Sequence, residues 1–328
     1  MPLLSVSEAI GCCVAESHAG EAEFVIRGWA DALGKGNTEP EQLGRAVGLL
    51  AAAVLARPVR LVLDLGDLTA DIWELLGALL RAVAECDPGQ ESRGSVELVA
   101  RSVKVGPSIR VIKELQKMEP GSAVSGLFVG SASDAVRNGC TRLVLSAPFI
   151  FLPGGARTAE LLTKARERIR ELAAGSASGS LLLSLTGLDE LTRLATGDYA
   201  LGSPRSVEYA AAILKRFSEE AIASVGGASA LELTAPCLAR KALLANDKVE
   251  RPQICAVASG DAYENGLVLP AGMLPPPASG AMSPFFAVAR PNAVYHCAGS
   301  RSSDLQKLLA AVADTGRIPV SLVPGGSD

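Results

Sequence analysis

The run Pro153-Gly154-Gly155-Ala156-Arg157-Thr158 sets two glycines and an arginine between an apolar stretch and a long amphipathic one. That spacing could present backbone N–H groups to a phosphate at a helix N-terminus. It lacks the lysine that completes a P-loop, and no dinucleotide-type glycine pattern follows a strand elsewhere. Other chemistries find less support. Gly175-Ser176-Ala177-Ser178-Gly179 has alanine where a nucleophile elbow needs serine. His296 and Cys297 are adjacent and so point to opposite faces of a strand, which prevents them from pairing with each other. His18 has no cluster of ligands about it, and no zinc spacing is present. The acidic pairs Asp64 with Asp67 and Asp189 with Glu190 suit the positive ends of helices. The residues therefore assign no catalytic group, no metal and no cofactor, and the sequence expectation is that the chain is not an enzyme.

Basic residues form the more specific pattern. Arg110, Lys113 and Lys117 make one stripe of a helix whose other stripe is Val111, Leu115 and Met118. Arg101 and Lys104 precede it. Lys164 with Arg168, and Arg166 with Arg170, are pairs four residues apart on a second helix, and Arg137, Arg142 and Arg157 lie between the two in sequence. Arginine suits bidentate contact with phosphate. Aromatic residues in this region, Phe128, Phe149 and Phe151, sit in apolar runs, so the pattern predicts backbone contact with RNA, as for a duplex, rather than base stacking.

The elements that must position these residues follow from periodicity and caps. Helices are expected over 5–17, 21–33, 38–56 and 69–86, where Thr38 and Pro40 suit a helix start. The middle alternates: extended 95–105, helical 107–118, strands 123–129 and 141–152, and a long helix over 156–174. Further helices are expected near 188–195, 206–225 and 228–245, short strands over 253–259 and 266–269, and a helix over 302–313 before a last strand, 318–323. Pro275-Pro276-Pro277-Ala278-Ser279-Gly280 cannot be regular helix or central sheet. The expectation is an α+β protein, predominantly helical, with a small mixed sheet and an extended C-terminal Pro-rich arm. It has three regions: an acidic helical region over 1–92, a basic-to-mixed α/β core over 93–269, and the Pro-rich arm with a C-terminal βα segment over 270–328.

Composition bounds the classes. The 328 residues are 48% hydrophobic and 20% charged, enough apolar material for a core and too much for wholesale disorder. Seven cysteines lack paired spacing, and Cys86, Cys140 and Cys255 stand in apolar surroundings, as reduced core-filling thiols do. The start carries Glu8 and Glu16 in its apolar stretch, unlike a signal peptide, and the apolar run 47–63 is broken by Arg57, Pro58 and Arg60, so no membrane association is expected. The net charge of −4 hides an acidic first third followed by a basic middle. Opposite charges on successive copies would favour head-to-tail self-association.

With 52 alanines, 29 serines and 19 prolines, no catalytic constellation and the stretch 275–280, the chain resembles the proline-alanine-serine-rich proteins of polymycoviruses. The resemblance implies a protein that coats double-stranded viral RNA, within a virion or a viral ribonucleoprotein in the host cytoplasm. The leading expectation is thus a non-enzymatic, self-assembling RNA coat protein. Its phosphate contacts would be Arg101, Lys104, Arg110, Lys113, Lys117, Arg137, Arg142, Arg157, Lys164, Arg166, Arg168 and Arg170. The rival expectation is an intracellular α/β enzyme that binds a phosphorylated ligand at the 153–158 turn.

Overall fold

Two glycines one helical turn apart set the first helix pair. In α1 (Pro40–Leu55), a Cβ on Gly48 would lie 2.7 Å from both Leu79 O and Ala82 Cβ of α2 (Ala70–Cys86), and a Cβ on Gly44 would strike Leu75 O. Only hydrogen at these positions lets the two helices approach so closely. The inner residues of α2, among them Ile72, Trp73, Leu75, Leu76 and Leu79, are buried, and the Trp73 indole Nε1 donates to Val105 O at 2.6 Å.

The computed structural model describes residues 22–26, 39–55, 59–86, 95–117, 124–130, 141–175, 181–223, 231–235, 237–258, 260–270, 283–290, 293–297, 300–315 and 320–323. The chain divides into two units, Met1–Val136 with His296–Gly326, and Arg137–Tyr295 with Ser327–Asp328. These divisions fall elsewhere than at the expected region boundaries near 92 and 269. The class is α+β with more helix than strand, as expected.

In the first unit, β1 (Ala22–Ile26), β2 (Val59–Leu68), β3 (Ser95–Val103) and β4 (Val124–Val129) pair in parallel in chain order. The last strand, β10 (Val320–Val323), runs antiparallel beside β4 and makes the sheet mixed. Leu61, Val62, Leu63 and Leu65 of β2 are all buried, as in a strand covered on both faces. The helix α3 (Ile109–Lys117) packs against α2 and against α10 (Ser302–Thr315), where the Gln116 side-chain amide donates to Ser300 O at 2.6 Å and Ser302 Oγ donates to the Gln116 carbonyl at 3.1 Å.

The second unit is built on a three-stranded parallel sheet, β5 (Thr141–Ser146), β6 (Leu181–Thr186) and β7 (Leu231–Glu232), with β6 in the centre and every one of its residues buried. A short α4 (Ala147–Phe151) and the long α5 (Gly155–Gly175) follow β5. Next come α6 (Leu188–Thr196), α7 (Pro204–Phe217), whose line continues as a π-turn over Ser218–Ile222, and α8 (Cys237–Glu250), which packs on β5. A 3₁₀ turn (Pro252–Ala256), β8 (Leu267–Val268), α9 (Ser283–Phe286) and β9 (Ala293–His296), parallel to β8, complete the order.

Several expected elements differ. The segment 141–152 is not one strand: the chain turns at Ser146, whose Oγ accepts from Phe149 N at 3.2 Å and caps α4, with proline near the helix start. The expected helix over 21–33 contains the strand β1, the helix over 228–245 contains β7 before α8 begins, and the strand over 253–259 is a 3₁₀ turn. The central strand β6 was not anticipated. Asp64 and Asp67 lie within β2, not at a helix start; Asp64 Oδ1 accepts from Gly66 N at 2.9 Å and Asp67 Oδ1 accepts from Ser102 Oγ at 2.8 Å. Cys86 and Cys255 are exposed rather than core-filling. The expected helix over 5–17 and the triple-proline arm lie outside the described residues. Among the described residues, no helix is long and apolar enough to cross a membrane.

Candidate active site

The C-terminal ends of parallel strands are where α/β sheets place ligands, because helix starts and loops converge there. In the second unit these ends carry Ser146 on β5 and Thr186-Gly187 on β6, and the residues facing each other across the strands are Ser146 and Thr186. Gly187 is needed for the turn into α6. Its φ is +76°, and a Cβ there would lie 2.7 Å from Pro148 Cδ and 3.0 Å from Tyr263 Cε1.

A row of buried polar groups surrounds this turn. On α8, Asp247 has no exposed surface, and its Oδ2 accepts from both Ser146 Oγ and Tyr263 OH, the latter at 2.5 Å. The Tyr263 phenol is fully buried against Leu244 and Ile254, and burial together with the bond to Asp247 raises its pKa. The strap over 260–266 that carries Tyr263 is held from α8. The Arg240 guanidinium donates to Tyr263 O, Lys248 Nζ donates to Gly260 O at 3.2 Å, and Lys241 pairs with Asp261 at 2.7 Å. Asn265 Oδ1 accepts from Ala235 N at 2.8 Å.

The first turn of α6 brings in two more carboxyls. Asp189 Oδ1 accepts from Ala200 N at 2.9 Å and from Val268 N at 3.1 Å, so one fully buried side chain ties α6 to β8 and to the loop before α7. Burial, and after it the charge of Glu190, pushes the Asp189 pKa well above its ordinary value. Glu190 is 2% exposed, and its Oε1 accepts from Glu264 N at 2.8 Å. Burial, then the neighbouring Glu264 charge, moves its pKa up to about 7, against smaller opposing effects that include the Arg193 guanidinium. Arg193 is itself engaged, donating to Val257 O at 2.8 Å and lying 4.5 Å over the Tyr199 ring.

Five oxygens in this row have no hydrogen-bond partner: Ser184 Oγ, Thr186 Oγ1, Asp189 Oδ2, Glu190 Oε2 and Asp247 Oδ1. A buried polar atom left unpaired costs roughly 1–3 kcal/mol, so a concentration of them at one sheet edge marks a place where a bound group or water completes the structure. Among the described residues no group of three or more histidines, cysteines, aspartates or glutamates is placed to hold a metal ion. What the arrangement offers is proton chemistry. Burial shifts Asp189 toward its neutral form, while Glu190, moved up to about 7, exchanges its proton near neutral pH with one oxygen anchored and the other unpaired. Two adjacent carboxyls with different surroundings divide the acid and base roles in this way.

The sequence located Asp189 and Glu190 at the start of a helix, which is where they stand, but read them only as charges that suit the helix's positive end. Nothing in their local pattern signals burial. The 153–158 turn joins α4 to α5 rather than following a strand. Gly154 (φ +70°) and Gly155 (φ +50°) are exposed, as are Ala156 and Arg157. Arg157 is held by Glu160 at 2.6 Å, and Thr158 is 1% exposed with its Oγ1 unpaired.

The expected RNA contacts fall in both units, five in the first and seven in the second, and many are met by carboxylates of the same chain. Arg101 pairs with Asp64 at 3.8 Å, Lys104 with Asp67 at 4.0 Å, Arg110 with Glu41 and Lys117 with Glu114 each at 3.5 Å. Lys164 pairs with Glu160 at 2.7 Å and Arg168 with Glu171 at 2.9 Å. Lys113 and Arg170 are exposed and Arg166 is half-buried. Arg142 belongs to β5, and Arg137 lies outside the described residues.

No family model matches the chain, and no curated protein matches it. Among solved structures it is similar to the anaerobic ribonucleotide reductase from Thermotoga maritima in complex with dATP and CTP, with a TM-score of 0.52 and 12% identity over 98% of this chain and 69% of that one. The same protein with MES in the active site gives a TM-score of 0.49 at 10% identity, covering 98% and 69%. At that identity the likeness concerns the fold. It overturns the coat-protein expectation: the architecture is shared with an α/β enzyme.

Proposed function

We propose that the chain is an α/β enzyme of the acid–base kind, acting at the C-terminal edge of the β5–β6–β7 sheet, with Glu190 as the group that takes up and releases the proton. The observation that carries this reading is the state of that one side chain: buried, anchored through Oε1 to Glu264 N, open at Oε2, and poised near neutral pH. Asp189 in the same turn, its pKa raised by burial, supports it as the tie that fixes α6. The test is turnover. A small-molecule extract is incubated with the parent chain and with Glu190→Gln, and the two are compared by mass spectrometry. Compounds consumed by the parent and untouched by the variant are expected; identical profiles would overturn the reading.

A second reading, a phosphorylated ligand on the exposed amides of the Gly154–Gly155 turn, is favoured by Thr158, whose buried hydroxyl lies unpaired in the first turn of α5. Nucleotides or sugar phosphates would then raise the melting temperature of the parent chain and not of Gly155→Val, a change the left-handed backbone at that position disfavours. Equal shifts in both proteins, or none, would remove it.

A further inference from the structure

The inner part of the same sheet edge carries a more specific statement about what is bound. Asp247 Oδ2 receives two donors, from Ser146 and Tyr263, while its Oδ1 receives none although the residue has no exposed surface. Thr186, 1% exposed, is the parallel-register partner of Ser146, so its side chain leaves the sheet on the same face as the hydroxyl that reaches Asp247. Its Oγ1 is also unpaired, and so is Ser184 Oγ, two residues back along β6 on that face. Three oxygens able to accept thus lie on one side of the sheet. Arg240, the buried guanidinium two turns earlier on α8, is engaged with Ala235 O and Tyr263 O.

The chemistry of the missing partner follows. At Asp247 Oδ1, a carboxylate oxygen, the ligand must bring an N–H or O–H donor, whereas the Thr186 and Ser184 hydroxyls can accept or donate. An anion would place its charge against the Asp247 carboxylate, and burying like charges together is strongly unfavourable; the guanidinium of Arg251, which follows α8, lies over the Phe149 ring and donates to Glu250 O. A primary ammonium supplies three donors and the countercharge. We infer that the face formed by Asp247, Thr186 and Ser184 seats the primary ammonium group of a small-molecule ligand, with Asp247 Oδ1 and Thr186 Oγ1 as its acceptors. The inference rests on the reading of this sheet edge as the ligand site and names the substrate class, an amine.

The test uses the full chain and four probes at matched ionic strength: n-butylammonium, tetramethylammonium, which is a cation without N–H donors, potassium, and n-butyl phosphate. Binding is followed by thermal shift and by isothermal titration calorimetry. n-Butylammonium alone is expected to give a saturable rise in melting temperature. Thr186→Val, nearly isosteric, is expected to weaken its binding tenfold or more, and Asp247→Asn to abolish it. Should Asp247→Asn fail to fold, Thr186→Val decides. No shift with n-butylammonium, an equal shift with tetramethylammonium or potassium, or unchanged affinity in Thr186→Val would overturn the inference. A chain that turns over substrate through Glu190 yet ignores the amine would lose this inference and keep the acid–base reading. One that binds the amine with Glu190 dispensable would do the reverse.

Discussion

Glu190 is the side chain whose environment can be converted most directly into a measurable free energy. Its pKa rises from 4.5 to about 7 on folding. At about 1.4 kcal/mol per unit, the ionised form is penalised in the folded chain by roughly 3 kcal/mol relative to the unfolded one. The sign follows from proton counting. Below pH 4.5 both states hold the proton and the side chain makes no pH-dependent demand. Between 4.5 and 7 the folded state holds more protons than the unfolded state, so stability falls as pH rises, by up to about 1.4 kcal/mol per unit. Above 7 the loss is complete. Glu190→Gln removes this titration while keeping a carbonyl oxygen that can accept from Glu264 N. Urea unfolding of parent and variant at pH 5, 6, 7 and 8 cancels the titrating groups that do not interact with Glu190; Asp189, which feels the Glu190 charge, contributes to the difference as part of the same pair. The variant is expected to gain on the parent by about 2–3 kcal/mol between pH 5 and 8. A difference that stays flat across that range would refute the assignment of a raised pKa to this residue.

Further consequences can be checked in the same preparation. Gly48→Val drives a side chain into Leu79 O and Ala82 Cβ across the α1–α2 contact and is expected to cost upwards of about 2 kcal/mol in urea unfolding, whereas Gly106→Ala, with nothing within 4 Å of the added carbon, stays within about 0.5 kcal/mol. Gly187→Ala combines a left-handed backbone with contacts to Pro148 and Tyr263; it is expected to lower the melting temperature by several degrees and to raise the accessibility of Tyr263 in hydrogen exchange of the 260–266 strap. Timed alkylation with peptide mapping is expected to modify exposed Cys86 and Cys255 well before Cys297, which is 1% exposed and whose thiol burial pushes up to about 12.

The elements that could be read from the sequence are those whose own residues decide them. The helix over 69–86 emerged because its apolar positions recur with helical spacing. Leu181–Thr186 escaped because a strand buried on both faces has no alternation to show, and it follows directly on a serine- and glycine-rich connector. The break at Ser146 was within reach: serine followed two residues later by proline is a helix-start signature, and it was absorbed into a longer apolar run. The candidate site was legible only in its location. Asp189 and Glu190 stand in the first turn of a helix as their spacing suggests, but what anchors them is the backbone of Ala200, Glu264 and Val268, and those residues are up to 79 positions away. Likewise the basic stripes were read as phosphate contacts, while the carboxylates that pair with Arg101, Lys104 and Arg110 come from other elements, Asp64 and Asp67 on β2 and Glu41 on α1. The enrichment in alanine, serine and proline specifies none of these contacts.

The most direct test follows the Glu190 carboxyl itself. With glutamate labelled with carbon-13 at the side-chain carboxyl, and the resonance assigned by its loss in Glu190→Gln, the chemical shift is recorded from pH 4 to pH 9. A midpoint near 7 is the expected result; a midpoint in the ordinary range near 4.5 would leave the sheet edge without its proton-exchanging group and contradict the account.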